Sequence, residues 1–265
     1  MTRAIVHGAG GRMGRAIVRT IHDTPGITLV GAIDREDGTT QGLDVGELAG
    51  VGPLRVSVEP SFRDDLEAHV LIDFTRSEAT ERMAHRAAAR GVALVVGTTG
   101  LEASARAALD RAAKVVPVLV AANTSVGVTV LAYLAELATT LLGPGYDAEI
   151  IEMHHNQKAD APSGTALRLA DVVLAAKGLD RSAIRTGREG KPGSRTRDEV
   201  GVLALRGGDV IGDHTLVLAG AGERVELTHK ATDRSLFARG AVRAAQWIVS
   251  RPAGLYDMRD VLGLR

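Results

Sequence analysis

Short runs rich in Val and Ile alternate with alanine-rich stretches of helical length through the first half of the chain. That rhythm limits the fold more than any single motif does. The runs AIVH (4–7), TLVGAID (28–34), VLIDF (70–74), VALVVG (92–97) and VPVLVAA (116–122) read as strands. Residues 11–22, 77–90 and 102–114 carry helical patterns, and in the second of these Ala84, Ala87 and Ala88 share one face. Apolar strands that alternate with helices of this length imply βαβ units and a parallel sheet covered on both faces.

Near Asn123 the rhythm changes. Residues 126–142 have the period of one long helix, GPGY (143–146) is a turn, 147–153 is a strand and 163–177 a helix. The segment TGREGKPGSRTRDE (186–199) is rich in Gly and charge and reads as a mobile surface loop. Three strands are expected at 200–206, 209–218 and 223–228, joined by hairpin-like turns into a mainly antiparallel sheet. A helix over 235–250 follows and is free to return to the first domain. Parallel α/β therefore comes first and α+β second, with a boundary near residues 123–130.

Composition narrows the function classes. With 265 residues the chain is long enough for a sizeable core. Lys+Arg and Asp+Glu both number 32, so there is no chain-wide basic footprint and no nucleic-acid partner is expected. The absence of cysteine excludes disulfides, thiolate metal sites and a cysteine nucleophile. MTRAIVHGAGG enters a strand pattern at once, unlike a signal peptide, and no run of about 18 apolar residues is read, so no membrane is expected and a cytoplasmic location is.

Residues 8–14, GAGGRMG, follow a strand and open a helix. A pyrophosphate must approach the backbone closely there and meet N–H groups at the helix start, which favours glycine. The spacing is G-x-x-G-x-x-G at Gly8, Gly11 and Gly14 with an extra Gly10; Met13 stands where the commoner pattern has glycine. Arg12 could also face phosphate. The second strand ends in Asp34-Arg35, where an acid suits the ribose hydroxyls of NAD and an arginine the 2′-phosphate of NADP, so either nucleotide is expected. GTTG (97–100) and AANTS (121–125) end two further strands and should line the nicotinamide half, since ligands of open α/β sheets lie outside the strands' carboxyl ends. Asp73-Phe74-Thr75 is a weaker candidate of the same kind.

The densest polar cluster is EMHHNQKADAPSGTA (152–166), between a strand and a helix. His154 and His155 are adjacent and share no helix face, and no H-E-x-x-H spacing is present, so no metal site is expected. Imidazoles that titrate near neutrality can donate a proton, Lys158 adds a cation, and the helix start at Ser163-Gly164-Thr165 offers amides and hydroxyls to a carboxylate. The cluster suits a small dicarboxylate with an acid in reach of its reacting carbon. Asp160 is read as a loop-holding residue.

The stretches GAGGRMG, DFTR, GTTG, AANTSVGV and above all EMHHNQKADAPSGTA resemble the 4-hydroxy-tetrahydrodipicolinate reductases of lysine and diaminopimelate biosynthesis, long called dihydrodipicolinate reductases; GDHT (212–215), ELTHKA (226–231) and GLYDMRDVL (254–262) do too. The resemblance implies a Rossmann-type dinucleotide-binding domain over 1–125 completed by 235–265, and a central α+β domain over 126–234 that binds substrate and assembles a homotetramer. It implies hydride transfer from NADH or NADPH to a cyclic imine dicarboxylate with loss of water. By motif, His154 would be the proton donor/acceptor and Lys158 a second proton donor, His155 would contact substrate, and Gly164 and Thr165 would bind a carboxylate. The nucleotide would meet Gly8, Ala9, Gly10, Gly11, Arg12, Met13, Asp34, Arg35, Gly97, Thr98, Thr99, Ala121, Ala122, Asn123 and Thr124, the last standing where the family often carries a bulkier residue such as Phe. A related two-domain dehydrogenase for another amino-acid-derived dicarboxylate, such as aspartate, is the second reading. A nucleotide sensor without chemistry is the third, and it would have no use for the histidine cluster.

Overall fold

A computed structural model describes all residues except 62, 64 and 265. It divides into two compact units, Met1–Val126 with Ser235–Arg265, and Gly127–Arg234. In chain order the elements of the first stretch are β1 (Thr2–His7), α1 (Arg12–Asp23), β2 (Ile27–Ile33), α2 (Val45–Ala49), β3 (Val58–Glu59), β4 (Val70–Asp73), α3 (Ser77–Ala89), β5 (Ala93–Val96), α4 (Ala103–Ala112) and β6 (Pro117–Val120). The second unit holds most of α5 (Val126–Leu142), then β7 (Asp147–His154), α6 (Gly164–Lys177), β8 (Ile184–Arg185), β9 (Val200–Arg206), β10 (Gly212–Ala219) and β11 (Arg224–Ala231). The chain closes with α7 (Ser235–Ile248), β12 (Gly254–Tyr256) and α8 (Met258–Leu262) in the first unit.

The first unit is a seven-stranded sheet in the order β12-β6-β5-β4-β1-β2-β3, parallel throughout. Its central strands are apolar on both faces because helices cover both; Ile5, Leu71 and Leu94 face one core cluster, Val6, Ile72 and Val95 the other. Helix α1 turns Ile17, Val18 and Ile21 inward, each fully or nearly fully buried, and burial of such a side chain is worth about 1.5–3 kcal/mol. Helix α7 packs its Ala238, Ala241, Ala244 and Ala245 into the same cluster. Strand order reverses between β1 and β4, and the β1–α1 turn that carries the glycine loop opens at that point.

The second unit is a five-stranded sheet, β11-β10-β7-β9-β8, with a core of Leu131, Ala135, Ile150, Leu169, Val173 and Leu216 among others. The sheet is mixed: β10 pairs antiparallel with β7 and β11, whereas β9 pairs parallel with β7 and β8. The expected hairpin between β9 and β10 is absent, because these strands flank β7 on opposite sides. A period-two pattern fixes which face of a strand is buried but says nothing of its neighbour. Strand β10 also begins later than expected, after a turn in which Gly208 has φ +53°.

Two further expectations are corrected. Segment 126–145 is long and apolar enough to cross a bilayer, with a mean hydropathy of 1.6, although no such run was expected; its lone charge, Glu136, interrupts any uniform apolar stretch without lowering the mean much. In the structure this helix sets Leu131, Ala135 and Thr139 into the core and leaves Val130, Leu134, Leu137 and Leu141 exposed. The 186–199 segment, expected to be loose, is tied to the start of β7. Arg188 pairs with Glu149 and Glu199, and Arg195 with Asp147 and Glu149 while also donating to the Glu199 carbonyl.

Candidate active site

The nucleotide loop is shaped by close approach. Gly8 sits at φ +83°, a conformation that side chains resist. A Cβ on Gly14 would lie 2.1 Å from the Gly8 carbonyl oxygen, so glycine there lets α1 rest directly on the loop. Gly11 caps α1 with extended backbone and no side-chain acceptor, and the first turn has no acidic residue. The helix start therefore keeps its amides and its positive dipole end for an anion. Asp34 accepts from the Gly10 amide at 2.6 Å and from the Arg35 amide at 2.8 Å, so it braces the loop as well as ending β2. The Arg35 side chain is exposed beside Asp37, and Arg12 is exposed too. These residues fit a dinucleotide's pyrophosphate and ribose.

The other proposed nucleotide residues divide into two groups. Gly97 lies against Phe74, where a Cβ would meet the ring at 2.2 Å. Thr98 is buried, its hydroxyl engaged with Asp73, Thr75 and Thr80, so only its backbone is left for a ligand. Asp73 is the centre of that network; it accepts from Thr75 Oγ1 at 2.6 Å and from Thr80, and His7 Nδ1 lies 2.9 Å away but off the hydrogen-bonding direction. Thr99 and Ala122 are exposed, Asn123 is half-buried and accepts from the Ser125 amide, and Ala121 is buried. Thr124 points inward, its hydroxyl donating to the Phe237 carbonyl at 2.7 Å beneath α7.

The histidine cluster is built at the end of β7, within the second unit. Alternation along β7 places Ala148, Ile150, Glu152 and His154 on the buried face. Glu152 is fully buried and accepts from His154 Nδ1 at 2.6 Å, from the Arg206 guanidinium in a two-pronged pair at 2.9 and 3.0 Å, and from the Ser163 amide at 3.0 Å. Burial alone would raise its carboxyl; Arg206, His154 and the Ser163 N–H together hold it below the usual range. His154 stands edge-on to His214, with ring centroids 5.2 Å apart. Burial, then the nearby His154, pushes the His214 imidazole down to about 4, so it is neutral near pH 7. A Cβ on residue 212 would lie 2.9 Å from His154 Nε2, so Gly212 gives that nitrogen its room.

Lys158 donates to Asp160 at 2.6 Å, and Asp160 is thereby held ionised below its ordinary range. The Asp160 carbonyl accepts from Arg206 at 2.5 Å. The His155 amide donates to the Val210 carbonyl at 2.7 Å, which fixes the turn but leaves the ring half-exposed. Ser163 caps α6, accepting from the Ala166 amide at 3.1 Å, and its hydroxyl lies 3.1 Å from His214 Nε2. Open space faces Gly164, so the start of α6 is uncrowded. Among the described residues, no group of three His, Asp or Glu side chains is placed to hold a metal ion.

Glu152, Arg206 and His214 were not among the expected site residues. Glu152 was legible as an acid at an inward position of β7, two residues before His154. Arg206 was not, because it reaches the site only through the parallel register that sets it opposite His154. His214 arrives through the antiparallel register that sets it opposite Glu152.

Comparison with known proteins agrees over the whole length. The family model described as dihydrodipicolinate reductase, N-terminus, matches residues 2–124, and that described as dihydrodipicolinate reductase, C-terminus, matches residues 127–262. A protein from Anaeromyxobacter dehalogenans named 4-hydroxy-tetrahydrodipicolinate reductase is 50% identical over 100% of this chain and 99% of its own. One of the same name from Halorhodospira halophila is 50% identical over 97% of both. A dipicolinate-bound dihydrodipicolinate reductase from Paenisporosarcina sp. TG-14 shares the fold, with a TM-score of 0.78 over 97% of each chain at 24% identity. The chain belongs to the dihydrodipicolinate reductase family.

Proposed function

We propose that this protein reduces 4-hydroxy-tetrahydrodipicolinate to tetrahydrodipicolinate, with loss of water, using NADH or NADPH. The observation that carries this reading is the His154 cluster beside an open helix start, in a chain 50% identical to reductases of that name. Gly8 to Met13 would hold the pyrophosphate, and Asp34 and Arg35 the adenosine ribose. Gly97 to Thr99 and Ala121 to Thr124 would line the nicotinamide half, Thr98 through its backbone alone. Thr124, whose side chain is buried, would shape that segment from within.

The bound nicotinamide would supply the hydride. Every other task falls to the chain. The substrate's two carboxylates must leave water, which costs free energy unless charge and donors replace the hydration. Amides at Gly164 and Thr165 at the start of α6, the ring of His155 and the Lys158 ammonium do that here. Hydride addition to a conjugated imine pushes an electron pair onto the substrate framework, and His154 Nε2 delivers the proton that quenches it. Lys158, held by Asp160, is the second proton source: it protonates the departing hydroxyl, the neighbouring ring carbon gives up a proton as the double bond forms, and each turnover consumes one hydride and one net proton and releases one water. Self-association to a homotetramer in the cytoplasm is part of the proposal; exposed apolar residues on the second unit's sheet, Ile151 at 36% and Leu205 at 50% exposure, support an interface there.

The reading is tested by a coupled assay. Pyruvate and aspartate semialdehyde are condensed by a purified synthase, and oxidation of NADH and NADPH is followed after this protein is added. Oxidation dependent on all components is expected. Folded protein that binds nucleotide yet oxidises none would defeat the proposal.

A further inference from the structure

We propose that Glu152 and Arg206 are positioning residues for His154, locking its proton on Nδ1 so that Nε2 alone exchanges protons with substrate. This rests on the reductase reading above and extends it to two residues on different strands. Three observations carry it. Glu152 is fully buried and takes four donors, from His154, Ser163 and both arms of Arg206. An ionised carboxylate can only accept, so His154 Nδ1 must be the donor across 2.6 Å. Finally, the space at Gly212 lies against Nε2 and not against Nδ1.

Arg206 does more than neutralise Glu152. One of its nitrogens also donates to the Asp160 carbonyl, and Asp160 holds Lys158. One guanidinium thus anchors both proposed proton sources, His154 through a carboxylate and Lys158 through its loop. The charged and titratable groups around His154 are Glu152 on its own strand, Arg206 on β9, His214 on β10 and Lys158 with Asp160 on the following loop; His229 lies opposite His214 on β11. Of these, Glu152 is the anion in direct contact with the ring.

Glu152→Gln separates positioning from simple stability. The amide keeps the volume and can still accept from Nδ1–H, but the anion is gone. The amide can turn either its oxygen or its N–H toward Nδ1, so the ring is no longer held to one tautomer. We expect kcat at pH 7 to drop by about 10–100-fold, short of the full loss of an acid catalyst, with nucleotide affinity unchanged. Arg206→Lys, which cannot grip two oxygens and a carbonyl at once, should lower kcat and also raise the KM for the dicarboxylate, because the Lys158 loop is released. Nitrogen-15 NMR of the imidazoles in unmodified protein provides a reading independent of turnover and of variant folding. Neutral His154 should carry its proton on Nδ1, with a strongly downfield Nδ1–H signal. A proton on Nε2, or a Glu152→Gln enzyme with the wild-type kcat, would overturn the proposal. If the wild-type protein oxidises no nucleotide but His154 still shows the Nδ1–H form, the reductase reading fails and the positioning stands.

Discussion

His154 is the proposed proton donor/acceptor. Its replacement by Ala should cut kcat by about 10²–10⁴-fold while nucleotide affinity, measured by fluorescence titration, stays at the wild-type value. Loss of nucleotide binding in parallel would mean that the variant had disrupted the fold. His214 leads to a separate prediction about stability. Its folded-state imidazole titrates near 4, against 6.5 unperturbed, so the unfolded chain binds the proton more readily. Stability is complete above pH 6.5 and is lost as pH falls toward 4. Glu152, held below its ordinary value, adds a loss of the same sign that begins lower, below about 4.5. Between pH 7 and 5 the His214 contribution is about 2 kcal/mol. Urea unfolding at the two pH values should show this slope in the wild type and a shallower one in His214→Gln. Equal slopes would place the acid sensitivity elsewhere. At this scale the sequence was legible where residue type and neighbours sufficed, as in the His-His-x-x-Lys run. It was silent where two strands had to meet, as Arg206 meets Glu152.

Elements set how closely these residues can approach one another. Gly14→Ala would force a methyl into the Gly8 carbonyl, 2.1 Å away, and should cost roughly 3 kcal/mol with a marked loss of nucleotide affinity, checked by thermal denaturation with and without NADH. A variant as stable and as tight-binding as wild type would mean that α1 can shift without consequence. The 186–199 segment is predicted to be protease-resistant until Arg195→Ala removes its ties to Asp147 and Glu149; limited proteolysis with trypsin-independent enzymes reads this directly. The strands and helices of the parallel half were legible because fully apolar strands and alanine-rich helices leave few alternatives. The second sheet was legible as strands but not as a pairing order. Its partners are chosen by long-range contacts that alternation does not encode. Short pieces such as α2, β3, β8 and β12 carry too few residues to show a period at all.

For the whole molecule, a parallel sheet carries the glycine loop and a mixed sheet carries the buried acid–imidazole pair proposed for proton chemistry. Sedimentation should report a homotetramer, and Leu205→Lys, which puts a charge on the exposed sheet face, should shift it toward smaller species while the secondary structure persists. The Rossmann-type half could be read from the sequence because its ligand loop and six of its seven strands follow one another in residues 2–120. The acid cluster could be read in part, since its supporting residues come from three strands. The most direct test of the central claim is isotope transfer. NADH deuterated at the transferable position of the nicotinamide should deliver one deuterium to a ring carbon of the tetrahydrodipicolinate in each turnover. Product that forms without deuterium, or nucleotide oxidised with the label lost to water, would contradict the account.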